Sequence, residues 1–261
     1  MTKQASNTKP RKTTVTLCVV FVLLAFSFLA VFFIYPNLRK NYVENREYDI
    51  YGGMTEDLKD SELFSDMQSG KSFCFLGDSI TAGYTTEGIP WYQPLVPYIK
   101  GEISNLSTAG WMVKNLINHK KEIPKADIYV VAIGINDILF PESEYASLGP
   151  DDFADRFSRL ASVIQEISPD AKIYFISPWT FIDTGEEYVE RGNSYRKALS
   201  EWCGKTGFRY IDPDPVIMSV LSEGDPYKYL YNNFHPNAPA GIGLYSYAVL
   251  KASSQQTKSG L

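Results

Sequence analysis

Ile128-Tyr129-Val130-Val131-Ala132-Ile133, followed at once by Gly134-Ile135-Asn136-Asp137, is the stretch that decides the fold. Six residues without a polar face make a strand that must be covered on both sides, which is the condition of a central parallel strand between layers of helices. The flanking sequence repeats the theme. Apolar runs at 72–76, 103–107, 173–176 and 210–211 alternate with helical patterns near 112–122, 152–167, 187–204 and 239–252. This alternation predicts a three-layer α/β/α domain built on a doubly wound, five-stranded parallel sheet of the flavodoxin-like kind.

In such sheets reactive groups collect just beyond the carboxyl ends of the strands, so the loops there carry the chemistry. After the first strand stands Gly77-Asp78-Ser79-Ile80-Thr81. The glycine permits a sharp turn, and a serine opening the next helix would present its oxygen near a positive dipole end; serine and aspartate are also ordinary helix caps. After the second strand Gly110 closes Asn105-Leu106-Ser107-Thr108-Ala109-Gly110, where a backbone N–H can approach a ligand closely. After the third, Asn136 can offer an amide donor to the same point. Taken singly, both of these are turn signals. Near the end lies Asn232-Asn233-Phe234-His235-Pro236-Asn237. The chain has two histidines, and the other, His119, sits in a wet helix end beside Lys120 and Lys121. If Ser79 has an imidazole base, that base is His235.

These four segments, in this order and at these strand ends, resemble the SGNH hydrolases, the GDSL-type lipases and esterases, over roughly residues 71–253. The resemblance implies that Ser79 is a nucleophile and His235 its base. It also implies that an oxyanion is held by the Ser79 N–H, Gly110 and Asn136. In measured cases one such donor is worth about 3–4 kcal/mol. The nucleophile elbow of the α/β-hydrolases, Gly-x-Ser-x-Gly, is not met, because Thr81 stands at the second glycine. One position departs from the family pattern: Asn232 occupies the place of the aspartate three residues before the histidine. Its carbonyl can accept the Nδ1 proton without supplying a charge; alternatively Asp225 or a backbone carbonyl orients the ring, or the site is a decayed one.

The N-terminal region is of a different character. From 13 to 35 there is no charged residue, about 35 Å of helix, enough to span a bilayer core. Lys3, Lys9, Arg11 and Lys12 precede it without an acid, which places the N-terminus in the cytoplasm and the rest outside. The expected organisation is a basic tail (1–12), a transmembrane helix (13–35), a tether (36–70) whose weakly amphipathic stretch (Leu58, Leu63, Phe64, Met67) can dock on the domain, the hydrolase-like domain (71–253) and a C-terminal tail (254–261). A cleaved signal is the alternative for the apolar run, with Ala25-Phe26-Ser27 as a weak site.

Thirty acids against 25 bases leave a net charge of −5, and four of the bases lie before Pro36, so the body is more acidic still and nucleic acid is excluded as a partner. Three cysteines make no disulfide framework; Cys74 and Cys203 are expected as unpaired core thiols. No metal-ligand spacing and no cofactor motif is present. Trp91, Trp111 and Trp179 fall near strand ends, as pocket wall or as core. The expected activity is hydrolysis of short acyl esters, O-acetyl groups on extracellular glycan foremost. The alternatives are acyl transfer to a glycan by the same acyl-serine, and a non-catalytic binding module.

Overall fold

The computed structural model describes residues 48–259. The apolar run at 13–35 and its flanks lie outside the described residues; among the described residues no helix is long and apolar enough to cross a membrane. Five strands, β1 (Phe73–Gly77), β2 (Ile103–Ser107), β3 (Ile128–Ala132), β4 (Lys172–Ile176) and β5 (Arg209–Ile211), form one sheet in the order β2-β1-β3-β4-β5, every pair parallel. β1 and β3 are buried along their whole length, because helices cover both faces. Edge strand β2 is only half-buried and carries Ser104, Asn105 and Ser107, polar side chains that suit a boundary.

On one face pack α3 (Val113–Asn118), α5 (Pro150–Ile167) and α6 (Glu186–Thr206); on the other pack α1 (Glu56–Lys59), α2 (Glu62–Met67), α7 (Asp214–Leu221) and α8 (Ala240–Ser259). A short helix α4 (Ile135–Leu139) follows β3 directly. α5 shows how the layers are encoded: Phe153, Phe157, Leu160 and Ile164 fall on one stripe and are fully buried, with Pro150 opening the helix and Asp151 and Asp152 in its first turn. Cys74 and Cys203 are unpaired and buried, and burial pushes their thiols up to about 11 and about 12.

Two boundaries of the domain move outward. Residues 48–70, expected within a tether able to dock on the domain, belong to the same compact unit as the sheet. Leu58, Leu63 and Met67 are buried in the core. Asp66 and Glu62 hold Lys172 at the start of β4, at 2.7 and 3.0 Å, and Glu62 also pairs with Arg209 at 2.7 Å. Earlier still, Tyr48 and Ile50 are buried and the Tyr51 N–H donates to Gly243 O at 3.2 Å, so 48–51 form a strap over α8. The last helix likewise runs on to Ser259, through much of the expected tail.

Candidate active site

The register of the three central strands brings their ends into line: Gly77 pairs with Ser107 on one side and with Ala132 on the other. The three loops that follow therefore open side by side, at the point where the strand order reverses. Gly77 is required there. A Cβ on it would lie 2.2 Å from Thr81 Oγ1 and 2.6 Å from Ala132 O. Thr81, fully buried, accepts from Trp91 Nε1 at 3.2 Å and thereby ties the turn to the core.

The segment from Ser79 to Gly88 is a series of turns and not the helix expected after the serine. Asp78 explains part of this: its Oδ1 accepts the Ile80 N–H at 3.1 Å, an Asx turn that competes with helical pairing. The polarity around Ser79 therefore comes from individual N–H groups and not from a helix dipole. Burial, with Asp137 nearby, pushes the Asp78 carboxyl up to about 7.

Ser79 Oγ lies 2.8 Å from His235 Nε2, although the two are 156 residues apart in sequence. Both are nearly covered, at 4% and 8% exposure, which leaves an opening for a ligand without a bath of water. His235 is held by its own loop. Leu230 and Pro236 form an antiparallel bridge, Tyr231 N–H donates to His235 O at 2.8 Å, and Asn232 Oδ1 accepts the N–H of His235 at 2.9 Å and of Phe234 at 3.2 Å. Those two donors fix which end of the Asn232 amide is oxygen.

The same amide faces the ring. His235 Nδ1 lies 3.2 Å from Asn232 Oδ1 and 3.1 Å from its Nδ2. With the proton on Nδ1, the ring donates to Oδ1 and Nε2 is free to accept from Ser79. With the proton on Nε2, Nδ1 accepts from the amide and the ring cannot take the serine's proton. An aspartate would permit only the first arrangement. Burial pushes His235 down to about 4, with no carboxylate to offset it. Asp225, the alternative orienting acid, instead accepts the Tyr227 N–H at 3.0 Å and caps a local turn.

The other two candidates stand in the neighbouring loops. Gly110 has φ +80°, a left-handed conformation that a side chain would strain. Asn136, at the start of α4, donates one amide hydrogen to Trp111 O at 2.9 Å, in the loop directly after Gly110; its amide carries a second. Trp111 is in turn stacked on His119 at 4.7 Å, whereas Trp91 and Trp179 are core. The sequence reading passed over Asp137. Its carboxylate, buried, accepts from Ser147 Oγ at 2.8 Å, Ser147 N at 3.1 Å and Val113 N at 3.2 Å, and so locks α4 to α3 beneath Asn136. An acid directly after the asparagine was the one available signal.

A GDSL-like lipase/acylhydrolase family model matches residues 75–240. No curated protein sequence matches significantly. Among solved structures, a protein described as a GDSL-like lipase from Parabacteroides merdae is 15% identical, covering 72% of this chain and 97% of its own, with a TM-score of 0.62. Axe2, an acetylxylan esterase from Geobacillus stearothermophilus, is 19% identical, covering 72% and 96%, with a TM-score of 0.61. LAE5, an α/β hydrolase enzyme from the metagenome of Lake Arreo, is 19% identical, covering 70% and 95%, at 0.58. At these identities the structures speak for the fold; the family match, which spans more than half the chain and contains all four loops, speaks for descent. The chain belongs to the GDSL-like lipase/acylhydrolase family and is a carboxylic-ester hydrolase.

Proposed function

We propose that the protein is a serine esterase that removes short acyl groups, O-acetyl esters of extracellular carbohydrate foremost, and that the apolar segment 13–35 anchors it in the membrane with the hydrolase domain outside. The observation that carries the reading is the 2.8 Å contact between Ser79 Oγ and His235 Nε2. In the first step Ser79 Oγ bonds to the ester carbonyl carbon while its proton passes to Nε2. The carbonyl oxygen, now negative, is held by the N–H groups of Ser79 and Gly110 and by the Asn136 amide. The imidazolium then returns the proton to the alcohol oxygen as the C–O bond breaks, leaving an acyl-serine. Water, deprotonated by the same ring, releases the acid and restores Ser79.

An acetylxylan esterase among the structural relatives supports a small acyl group on a sugar. The charge-free run and the bases before it support the membrane anchor. A soluble fragment beginning at Asn37 is expected to hydrolyse p-nitrophenyl acetate, and Ser79→Ala to lower kcat at least about a thousandfold. Equal turnover by the variant would remove the reading.

A further inference from the structure

A cleft of about 300 Å³ opens between the end of α4, the start of α6 and the histidine loop. Its walls are largely carbon, from Leu139, Phe140, Tyr188 and Phe234, with Asn232 and Asn233 among them. We propose that this cleft seats one pyranose ring of the alcohol part of the ester, an assignment that rests on the esterase reading and names its leaving group.

Three observations point there. First, the cleft is built and not incidental. Arg191 lies over the Tyr188 ring at 5.4 Å and donates to Ile138 O at 2.7 Å, joining the wall from α6 to the wall from α4. Asn233 Nδ2 donates to Asp183 O at 3.0 Å and the Ile182 N–H to Asn233 O at 2.8 Å, joining the loop after β4 to the histidine loop. Arg196, itself nearly buried, holds the same loop through Pro178 O and Trp179 O at 3.1 and 3.0 Å. A ligand entering it therefore meets walls that are already in place.

Second, its position matches the alcohol side of the reaction. The leaving oxygen must receive its proton from His235 Nε2, so the alcohol extends toward the histidine loop, while the carbonyl oxygen points to Gly110 and Asn136. Phe234, which lines the cleft, packs on the His235 ring with centroids 4.2 Å apart.

Third, the lining is amphipathic. A long acyl chain calls for a closed hydrocarbon tunnel; here Phe140 is 46% exposed. The side chains of Asn232, Asn233 and Thr184, the last with a buried hydroxyl that has no hydrogen-bond partner among the described residues, are interspersed with the rings. A pyranose has this duality, with C–H faces for aromatic rings and a rim of hydroxyls for amides. The volume lies at the lower end of the range of about 300–1,000 Å³ typical of ligand pockets, room for one ring and not for an oligomer.

The test compares kcat/KM for two sugar esters, glucose pentaacetate and O-acetylated xylooligosaccharide, with kcat/KM for p-nitrophenyl acetate. In Phe140→Ala the ratio of sugar ester to aryl ester is expected to fall about tenfold, and in Tyr188→Ala by a similar factor. Phe140→Tyr, which keeps a ring, should restore it; melting temperatures show that each variant is folded. An unchanged ratio in the folded alanine variants, or wild-type protein active on the aryl ester and inert on both sugar esters, overturns the assignment and leaves the esterase reading intact. A loss that appears instead among p-nitrophenyl acetate, butyrate and octanoate gives the cleft to the acyl chain and also overturns it. Wild-type protein inert on every ester removes the esterase reading itself.

Discussion

The amide of Asn232 meets both requirements of a hydrogen-bonding partner and neither requirement of a charged one. Its oxygen, fixed by two backbone N–H groups, and its nitrogen stand at nearly equal distances from His235 Nδ1, so the ring is held in place while its tautomer is left open. Replacing it by aspartate removes the second tautomer and adds an anion beside the ring. Asn232→Asp is therefore expected to raise kcat at least about tenfold, since in a related triad the opposite change cost about 10⁴. It should also move the acidic limb of kcat/KM upward from near pH 4, because an anion favours the imidazolium that burial now disfavours. A pH profile of both proteins, with no displacement of that limb, would count against this account. The residue types and their order were legible in the sequence because a strand-end geometry gives each short motif a place, and because a chain with two histidines leaves little choice of base. What the sequence could not state was the dual bonding of Asn232 or the role of Asp137, since both depend on backbone N–H groups that only folding brings into range.

At the scale of elements, the long periodic segments were readable and the short ones were not. α5 and α6 run within two residues of their expected spans, as a stripe of apolar residues over five turns allows. α4, α7 and the turns after Ser79 carry too few residues to show a period, and their form is set by tertiary partners. The strap at 48–51 was hidden for the same reason: Tyr48 becomes buried and Tyr51 half-buried only when α8 is beside them. Tyr51 contacts Tyr247 and Tyr229 edge-on at 5.4 and 5.9 Å, and Tyr229 O accepts the Asn237 N–H at 2.9 Å within the loop that carries His235. Two edge contacts at about 0.5–1.5 kcal/mol each make Tyr51→Ala destabilising by about 1–3 kcal/mol. Because the loss falls next to the histidine loop, kcat is expected to drop several-fold more than KM changes, with Tyr51→Phe close to wild type in both. Denaturant midpoints and steady-state kinetics on the three proteins test this; a normal kcat in a destabilised Tyr51→Ala protein would reduce the strap to scaffolding.

For the whole molecule, two buried groups give stability opposing slopes with pH. His235 titrates near 4 in the fold and near 6.5 when unfolded, so the stability linked to its neutral form is complete above 6.5 and is lost as pH falls toward 4. Asp78 behaves oppositely. Its carboxyl titrates near 7 in the fold against 3.8 unfolded, so the native state is penalised as pH rises from 3.8 to 7. Asp78→Asn removes the second slope alone: its melting temperature relative to wild type is expected to climb between pH 4 and pH 8. A constant difference across that range would show that Asp78 ionises in the fold as freely as it does in water. The strap has one more effect, on the order in which the molecule can be made. Tyr51 leaves the ribosome early yet bonds to Gly243, which comes nearly two hundred residues later. The first described segment and the last helix close on each other like a clasp; a nascent chain halted before Leu230 has neither the clasp nor the histidine loop, and one halted between that loop and α8 has His235 without the helix that clasps Tyr51, so hydrolytic competence waits for the C-terminal helix.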